Sequence, residues 1–300
     1  VVTVVVWRLG TGPIMDGLQS VTFGSVLAAF AVTAVTTVGS AWRWRLVARG
    51  LGVDLGLPGA VAAYYRSQFL NSVLPGGVLG DLDRGLRHGQ EISDLGRSLR
   101  AVVWERVAGQ VVQGVLTTAV VISLASPLRP SILVVVVVLV AVALVVAGLS
   151  RRRPNRLART VVADIRHGLL APAVAPGIVL ASTVVVVGHA TIFFIAARTA
   201  GVTASLATLL PLMMAVLLAM SVPTNVGGWG PREGVAAWVF GAAGLDAGSG
   251  LAAATVFGVI ALIATLPGAV VMVVGWAHGR RSPSAEVPAA MAQPVGVAHG

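Results

Sequence analysis

Apolar residues run in blocks of about twenty along most of this chain, the length that carries an α-helix across a hydrocarbon layer of about 30 Å. Val21 to Trp42, Ala101 to Ala125, Ser131 to Leu149, Gly177 to Ala200, Ser205 to Val222 and Leu251 to Ala277 each meet that length. The five consecutive valines from Val134 to Val138 suit a face turned to lipid. Val1 to Leu9 is apolar but short, and reads as part of a first span, without the basic leader and small-residue cleavage site of a signal peptide. Val235 to Leu245 reads as a half-helix. The pattern predicts an all-α, polytopic integral membrane bundle of about seven to eight segments plus two broken, re-entrant elements. A single domain over residues 1–281 is expected, with halves 1–150 and 151–281. Ser282 to Gly300, rich in Pro, Ala and Gly, reads as a disordered tail.

Arginines in the connecting segments set the expected orientation, because positive residues stay on the cytoplasmic side. Arg43, Arg45 and Arg49, then Arg84, Arg87, Arg97 and Arg100, then six arginines from Arg151 to Arg166, then Arg280 and Arg281 fall on one side if Leu57 to Gly80 dips into the membrane and returns. The tail is then cytoplasmic. Trp7, Trp42, Trp44, Trp104 and Trp276 fall near span ends, as an interfacial aromatic belt would.

Two stretches half a chain apart fit neither helix nor ordinary loop: YYRSQFLNSVLPGGVLGDLDRG from Tyr64 to Gly85 and AMSVPTNVGGWGPREG from Ala219 to Gly234. Each passes from Ser-Val through a proline and a Gly-Gly pair to a charged cluster. Pro75 with Gly76 and Gly77, and Pro223 with Gly227 and Gly228, should interrupt a helix. Unwound backbone survives at membrane depth only inside protein or beside a water-filled cavity. Paired interruptions in corresponding halves point to a transport site, and four crossings per half would make the repeat parallel. Arg66, Asp81, Arg84, Glu105, Arg106, Arg232 and Glu233 surround these breaks. Unpaired charge at mid-bilayer costs at least about 2.5 kcal/mol. Either the charges find partners, with Glu105–Arg232 and Arg106–Glu233 as the candidate cross-pairs, or they snorkel at the cytoplasmic interface.

Composition narrows the chemistry. The 300 residues are 56% hydrophobic and 11% charged, against about 25% charged in a soluble domain. Without cysteine there are no disulfides, thiolate nucleophiles or sulfur-ligated metals. All 21 basic residues are arginine, which with so much Ala, Val and Gly is the codon bias of a GC-rich, bacterial genome. The net charge of +10 finds no soluble domain on which to build a nucleic-acid groove, so no nucleic-acid partner is expected. No cofactor is expected and no metal ligand set stands out; Asp81 and Asp83 resemble Asp-x-Asp but fit helix capping or solvated charge as well. His189 lies inside a span, either bonded to a neighbouring helix or relaying protons. Gly109, Gln110, Gln113 and Gly114 form a small polar stripe that permits close helix approach or faces a cavity.

At these residues the chain resembles the transmembrane region of the lysylphosphatidylglycerol synthases and the related stand-alone flippase-like membrane proteins. The resemblance covers nearly the whole chain. An Arg-rich helix end, AWRWRLVARG from Ala41 to Gly50, precedes an Asn-x-x-x-Pro-Gly-x-x-Gly-Asp-x-x-Arg type signature met by Asn71, Pro75, Gly76, Gly80, Asp81 and Arg84 with one extra residue in the spacing. Glu105 with Arg106 matches a following Glu-Arg pair, and Gly227, Gly228, Gly230, Arg232 and Glu233 match a Gly-Gly-x-Gly-x-Arg-Glu signature.

The resemblance implies transfer of an anionic, aminoacylated or glycosylated lipid between leaflets of the plasma membrane. The soluble aminoacyl-transfer domain that the synthases carry after this region does not follow before Gly300, so the expectation is a transporter without the synthetic reaction, with a separate lipid-synthesising enzyme as partner. Arg66, Arg84, Arg106 and Arg232 are the candidate phosphate contacts, since guanidinium binds phosphate bidentately. Asn71 and Asn225 offer adaptable donors, and Asp81, Glu105 and Glu233 hold the arginines or meet a cationic aminoacyl group. The alternative is a membrane-embedded transferase, or the membrane subunit of one, although His-x-x-x-His, paired-carboxylate and phosphate-loop motifs are absent from the spans.

Overall fold

The computed structural model describes residues 11–124, 126–134, 156–221 and 229–281, and among these the regular elements are helices. They are α1 (Gly12–Ser20), α2 (Phe23–Gly50), α3 (Leu57–Val73), α4 (Leu79–Glu91), α5 (Leu95–Ser123), α6 (Arg156–Ala163), α7 (Ala175–Thr199), α8 (Leu206–Ala219), α9 (Pro231–Ala242), α10 (Ala247–Ala264) and α11 (Pro267–Arg281). One π-helical turn, Asp164–Leu169, follows α6. Capping sets several starts: the Thr22 and Ser25 side chains satisfy each other's backbone N–H groups at α2, Asp94 accepts from Arg97 N at 2.9 Å at α5, and Asp246 accepts from Ser249 N at 2.7 Å at α10.

Phe23–Gly50, Leu95–Ser123, Ala175–Thr199 and Ala247–Ala277 are long and apolar enough to cross a membrane. The five-valine span and Val1 to Leu9 fall largely or wholly outside the described residues, as does the tail. Two expected spans differ from the pattern. Ser205 to Val222 contributes a helix of only 14 residues, α8, about 21 Å long and too short to cross alone. Leu251 to Ala277 lies within the crossing length Ala247–Ala277 but is broken at Thr265 and Leu266, because Pro267 lacks the amide that would continue α10.

Helices α2 and α7 run antiparallel and form the closest long contact. Gly39 faces Val185 and Gly188 lies directly on Thr36, so small residues let the backbones approach. The main core joins α7, α8, α9 and α10 through Phe193, Leu212, Met213, Phe240, Phe257 and Ile260. A second cluster holds Trp44, Ala48, Tyr64 and Val102 where α2, α3 and α5 meet. Outward, α5 exposes Val103, Val107, Val111 and Val115 at four-residue spacing, a lipid-facing stripe. Glu105 and Thr117 of α5 turn inward.

Candidate functional site: a buried charge chain beside a two-break cavity

The first break is a helical hairpin tip. Helix α3 ends at Val73, Gly76 and Gly77 take φ of +87° and +61°, and α4 begins at Leu79. Positive φ at consecutive residues is what glycine supplies without strain. The chain then doubles back, bringing Asp83 to Arg66 and Asp81 to Ser67. Gly80 packs directly on the Ser67 carbonyl, leaving no room for a side chain. Asn71 closes the tip: its Oδ1 accepts from Gly80 N at 2.8 Å and its Nδ2 donates to Asp81 Oδ2 at 3.0 Å. Asn71, Gly80 and Asp81 are thus one hydrogen-bonded unit that starts α4.

Asp81 belongs to a chain of five alternating charges that runs Arg43, Glu105, Arg84, Asp81, Arg106. Arg43 donates to Glu105 Oε1 through Nε at 2.7 Å, and Arg84 donates to Glu105 Oε2 at 2.6 Å. Arg84 also reaches Asp81 Oδ1 at 3.0 Å, and Asp81 Oδ2 accepts from Arg106. Tyr64 adds its hydroxyl to Glu105 at 3.0 Å, and Arg43 Nη1 reaches Ser182 at 3.3 Å. Glu105 is 0% exposed. Arg84 lies between the rings of Trp44 and Tyr64, 4.6 and 4.4 Å from their centroids, and its Nη1 has no hydrogen-bond partner among the described residues. Each buried ion costs several kcal/mol of desolvation, which only such saturated pairing offsets.

At the second break, Gly230 takes φ of +132°, Pro231 opens α9, and Glu233 Oε2 accepts from Gly230 N at 2.7 Å. Arg232 donates Nε to Glu233 Oε1 at 2.8 Å, and its guanidinium lies directly on Gly258 of α10, where a methyl group would not fit. Gly109 of α5 receives the Arg43 guanidinium in the same way, a Cβ there falling 2.9 Å from Arg43 Cζ. Asn225, Gly227 and Gly228 lie outside the described residues.

Both breaks reach one cavity of about 360 Å³. Asn71, Gly77 and Asp81 border it from the first break, Trp229, Pro231 and Arg232 from the second, and Arg106, Gln110, Gln113 and His189 from α5 and α7. Arg106 is the most open of its cations. Its side chain is 35% exposed, its Nη2 serves Asp81 and the Gly77 carbonyl, and its Nε and Nη1 make no hydrogen bond among the described residues.

The family model described as the lysylphosphatidylglycerol synthase TM region matches residues 1–268. The chain belongs to that family. No curated protein and no solved structure matches it. Family and apolar helices together make this an integral membrane protein with a lipid-related role.

Within this member of the lysylphosphatidylglycerol synthase TM family, several expected assignments change. The cross-pairs Glu105–Arg232 and Arg106–Glu233 do not form: Glu105 is saturated by Arg43, Arg84 and Tyr64, Arg106 goes to Asp81, and the neighbours Arg232 and Glu233 bind each other. Neighbours on a helix normally diverge. Here Glu233 turns back to cap Gly230 while Gly258 lets Arg232 lie flat, and the two groups meet. Of the four candidate phosphate contacts, Arg106 and Arg232 border the cavity, Arg84 is sealed behind it, and Arg66 faces Asp83 at 2.8 Å away from it. Pro75 and Gly76 shape the tip without bordering the cavity, and Gly80 and Glu233 lie just behind its wall.

Asp81, Arg84, Arg232 and Glu233 are buried inside the protein, and so is Trp44, expected in an aromatic belt. Asp81 and Asp83 turn to different partners, Asp81 to Ser67 and Asp83 to Arg66. His189 bonds its own helix at the Val185 carbonyl, not a neighbouring one. Arg43, read as a topology signal, is the residue that sequence reasoning missed. The signal was present as a polar stripe through an apolar helix, Thr33, Thr36, Ser40 and Arg43 at spacings of three and four.

Proposed function

We propose that this protein moves a lipid with an anionic headgroup between membrane leaflets, the headgroup in the two-break cavity and the acyl chains in the bilayer. One observation carries the reading: Arg106 brings unused N–H donors to a cavity whose other charged side chains lie in buried ion pairs. The five-membered chain of Arg43, Glu105, Arg84, Asp81 and Arg106 holds one positive charge more than negative, and its open end is Arg106. A phosphate there completes the alternation and accepts the free guanidinium donors. Arg232, with Nη1 unused among the described residues, is the second contact, and α9 adds the positive end of its dipole. Asp81, Glu105 and Glu233 are all engaged by arginines, an arrangement suited to holding a headgroup rather than to moving protons during group transfer. The reading carries a plasma-membrane bundle of about seven to eight segments, bacterial, with two re-entrant elements in parallel repeat and a cytoplasmic tail.

Liposomes reconstituted with the purified chain and a tail-labelled anionic phospholipid test this. Protein should accelerate exchange between leaflets, Arg106→Ala should lower the rate about tenfold, and Arg87→Ala, at an exposed position, should not. Equal rates with and without protein for anionic and zwitterionic lipids alike would overturn the proposal.

A further inference from the structure

Helix α6 and the π-helical turn after it border no part of the two-break cavity. At 3.6 residues per turn, Arg156, Arg159, Thr160 and Ala163 share one face of α6, and Ala158, Val161 and Val162 share the other. Arg156, Arg159 and Arg166 are exposed, and none forms an ion pair among the described residues. Asp164, the single carboxylate between Arg156 and Leu170, is already engaged: it is 8% exposed, and its Oδ2 accepts from Arg100 Nε and Trp104 Nε1, each at 3.0 Å. In the same segment Val162 and Leu170 are 51% and 65% exposed. Unpaired cations and bare apolar side chains on one short amphipathic stretch suit the boundary between water and hydrocarbon.

The contacts of the π turn set its height. Gly50, the last residue of α2, packs directly on the Gly168 backbone, and Asp164 binds α5 near its start. Leu169 and Ala171 pack with Trp42 and Trp104, and α7 begins at Ala175. Because α2, α5 and α7 are crossing helices, the segment lies level with three span ends, among tryptophans of the kind that settle at headgroup depth.

We infer that α6 and the π turn form a docking surface for the anionic bilayer itself, with Arg156, Arg159 and Arg166 against lipid phosphates and Val162 and Leu170 at the acyl boundary. The surface is separate from the cavity and stands whether or not the cavity carries a headgroup. Charge complementarity selects anionic lipid, because a zwitterionic leaflet offers these arginines no net attraction. An acidic soluble protein would match the arginines too, but it would leave Val162 and Leu170 uncovered at a height where lipid is the neighbour. Asp164 and Gly168 hold the surface to α5 and α2, so docking needs little further ordering of the segment.

The chain has no cysteine, so Val162→Cys accepts a single bimane label. The labelled full chain is placed in nanodiscs of phosphatidylcholine alone or mixed with phosphatidylglycerol, and quenching by brominated acyl chains is compared with quenching by aqueous acrylamide. With phosphatidylglycerol present, the brominated chains should quench and acrylamide should not. Each of Arg156→Gln, Arg159→Gln and Arg166→Gln should lower the ratio of lipid-inserted to water-exposed label about fivefold, and Arg87→Gln, on α4, should not. High salt should act in the same direction as the arginine substitutions. Hydrogen exchange on the unlabelled chain checks that bimane does not drive insertion: amides of α6 and the π turn should exchange more slowly with phosphatidylglycerol present, and lose that protection in the triple Gln variant. A label equally open to acrylamide in both discs, or exchange blind to phosphatidylglycerol, overturns the docking surface. A label shielded from acrylamide yet unquenched by brominated lipid also overturns it and assigns the face to a protein partner.

Discussion

Glu105→Gln is the sharpest probe of the charge chain. The substitution keeps the shape and removes one negative charge from a side chain that is 0% exposed and accepts from Arg43, Arg84 and Tyr64. Arg43 then keeps Ser182, and Arg84 keeps Asp81. The buried Arg43 guanidinium would be left with no carboxylate partner. Breaking one buried pair costs about 3–5 kcal/mol, because the surviving charge stays desolvated. At about 2–4 °C of melting temperature per kcal/mol, the expected drop is roughly 6–20 °C. Thermal unfolding of the detergent-purified protein, followed by size-exclusion fluorescence, reads it. Arg87→Ala is the control: its side chain is 57% exposed and its partner Asp83 keeps Arg66, so the cost should be below about 1 kcal/mol. If Glu105→Gln melts within about 2 °C of wild type, the charge at Glu105 does not hold the two arginines, and the alternating chain loses its structural meaning.

Three further outcomes follow from the geometry. Gly258→Ala should push the Arg232 guanidinium out of its seat and lower lipid movement more than it lowers melting temperature, since the obstructing contact is with a side-chain end; transport and thermal assays on one preparation separate the two. Gly80→Ala should lower stability by about 1–3 kcal/mol, the cost of overpacking, because its methyl group meets the Ser67 backbone, and a melting temperature equal to wild type would contradict the hairpin packing. Asp246→Ala should cost about 0.5 kcal/mol by uncapping α10. The N–H groups of Ser249 and Gly248 hold the Asp246 carboxyl below its ordinary range, so its contribution is full at neutral pH and fades as pH falls through that lowered value; a wild-type-minus-variant melting difference that grows on acidification would refute this.

How far the chain could be read from its sequence depended on the range of the forces involved. Long apolar runs located α2, α5 and α7, because lipid imposes length and hydropathy locally; α7 is met to within two residues at each end, whereas α2 runs on from Trp42 to Gly50 and α5 starts at Leu95 rather than Ala101. Pro75, Gly76 and Gly77 announced the hairpin tip for the same reason: their backbone preferences act at the residue itself. Pairing was another matter. Glu105 lies 62 residues from Arg43 and 21 from Arg84, and neither spacing leaves a mark in a single sequence. Only the helix packing brings Gly109 under Arg43 and Gly258 under Arg232, and those glycines look like ordinary small residues of membrane helices until the guanidiniums are seen lying on them.

The arginines themselves divide by what surrounds them, which explains why counting positive charges misplaced some. Arg43 sits about two turns inside the end of α2, where a snorkelling side chain would reach toward the interface, yet it turns inward because Glu105 offers a full charge in the low-dielectric interior and Gly109 offers the room. Arg84 follows, held by two carboxylates and two aromatic faces. With both of these sealed and Asp81 fixed by Ser67 and Asn71, the last member, Arg106, is anchored through one nitrogen and open at the others. A cation held in place but incompletely paired binds an anion without first giving up a partner or paying to be ordered. The buried chain is therefore the support that makes Arg106 ready. Neutralising Glu105 should accordingly weaken anionic-lipid binding even though Glu105 does not border the cavity, and Asp83→Asn, which leaves that chain intact, should not.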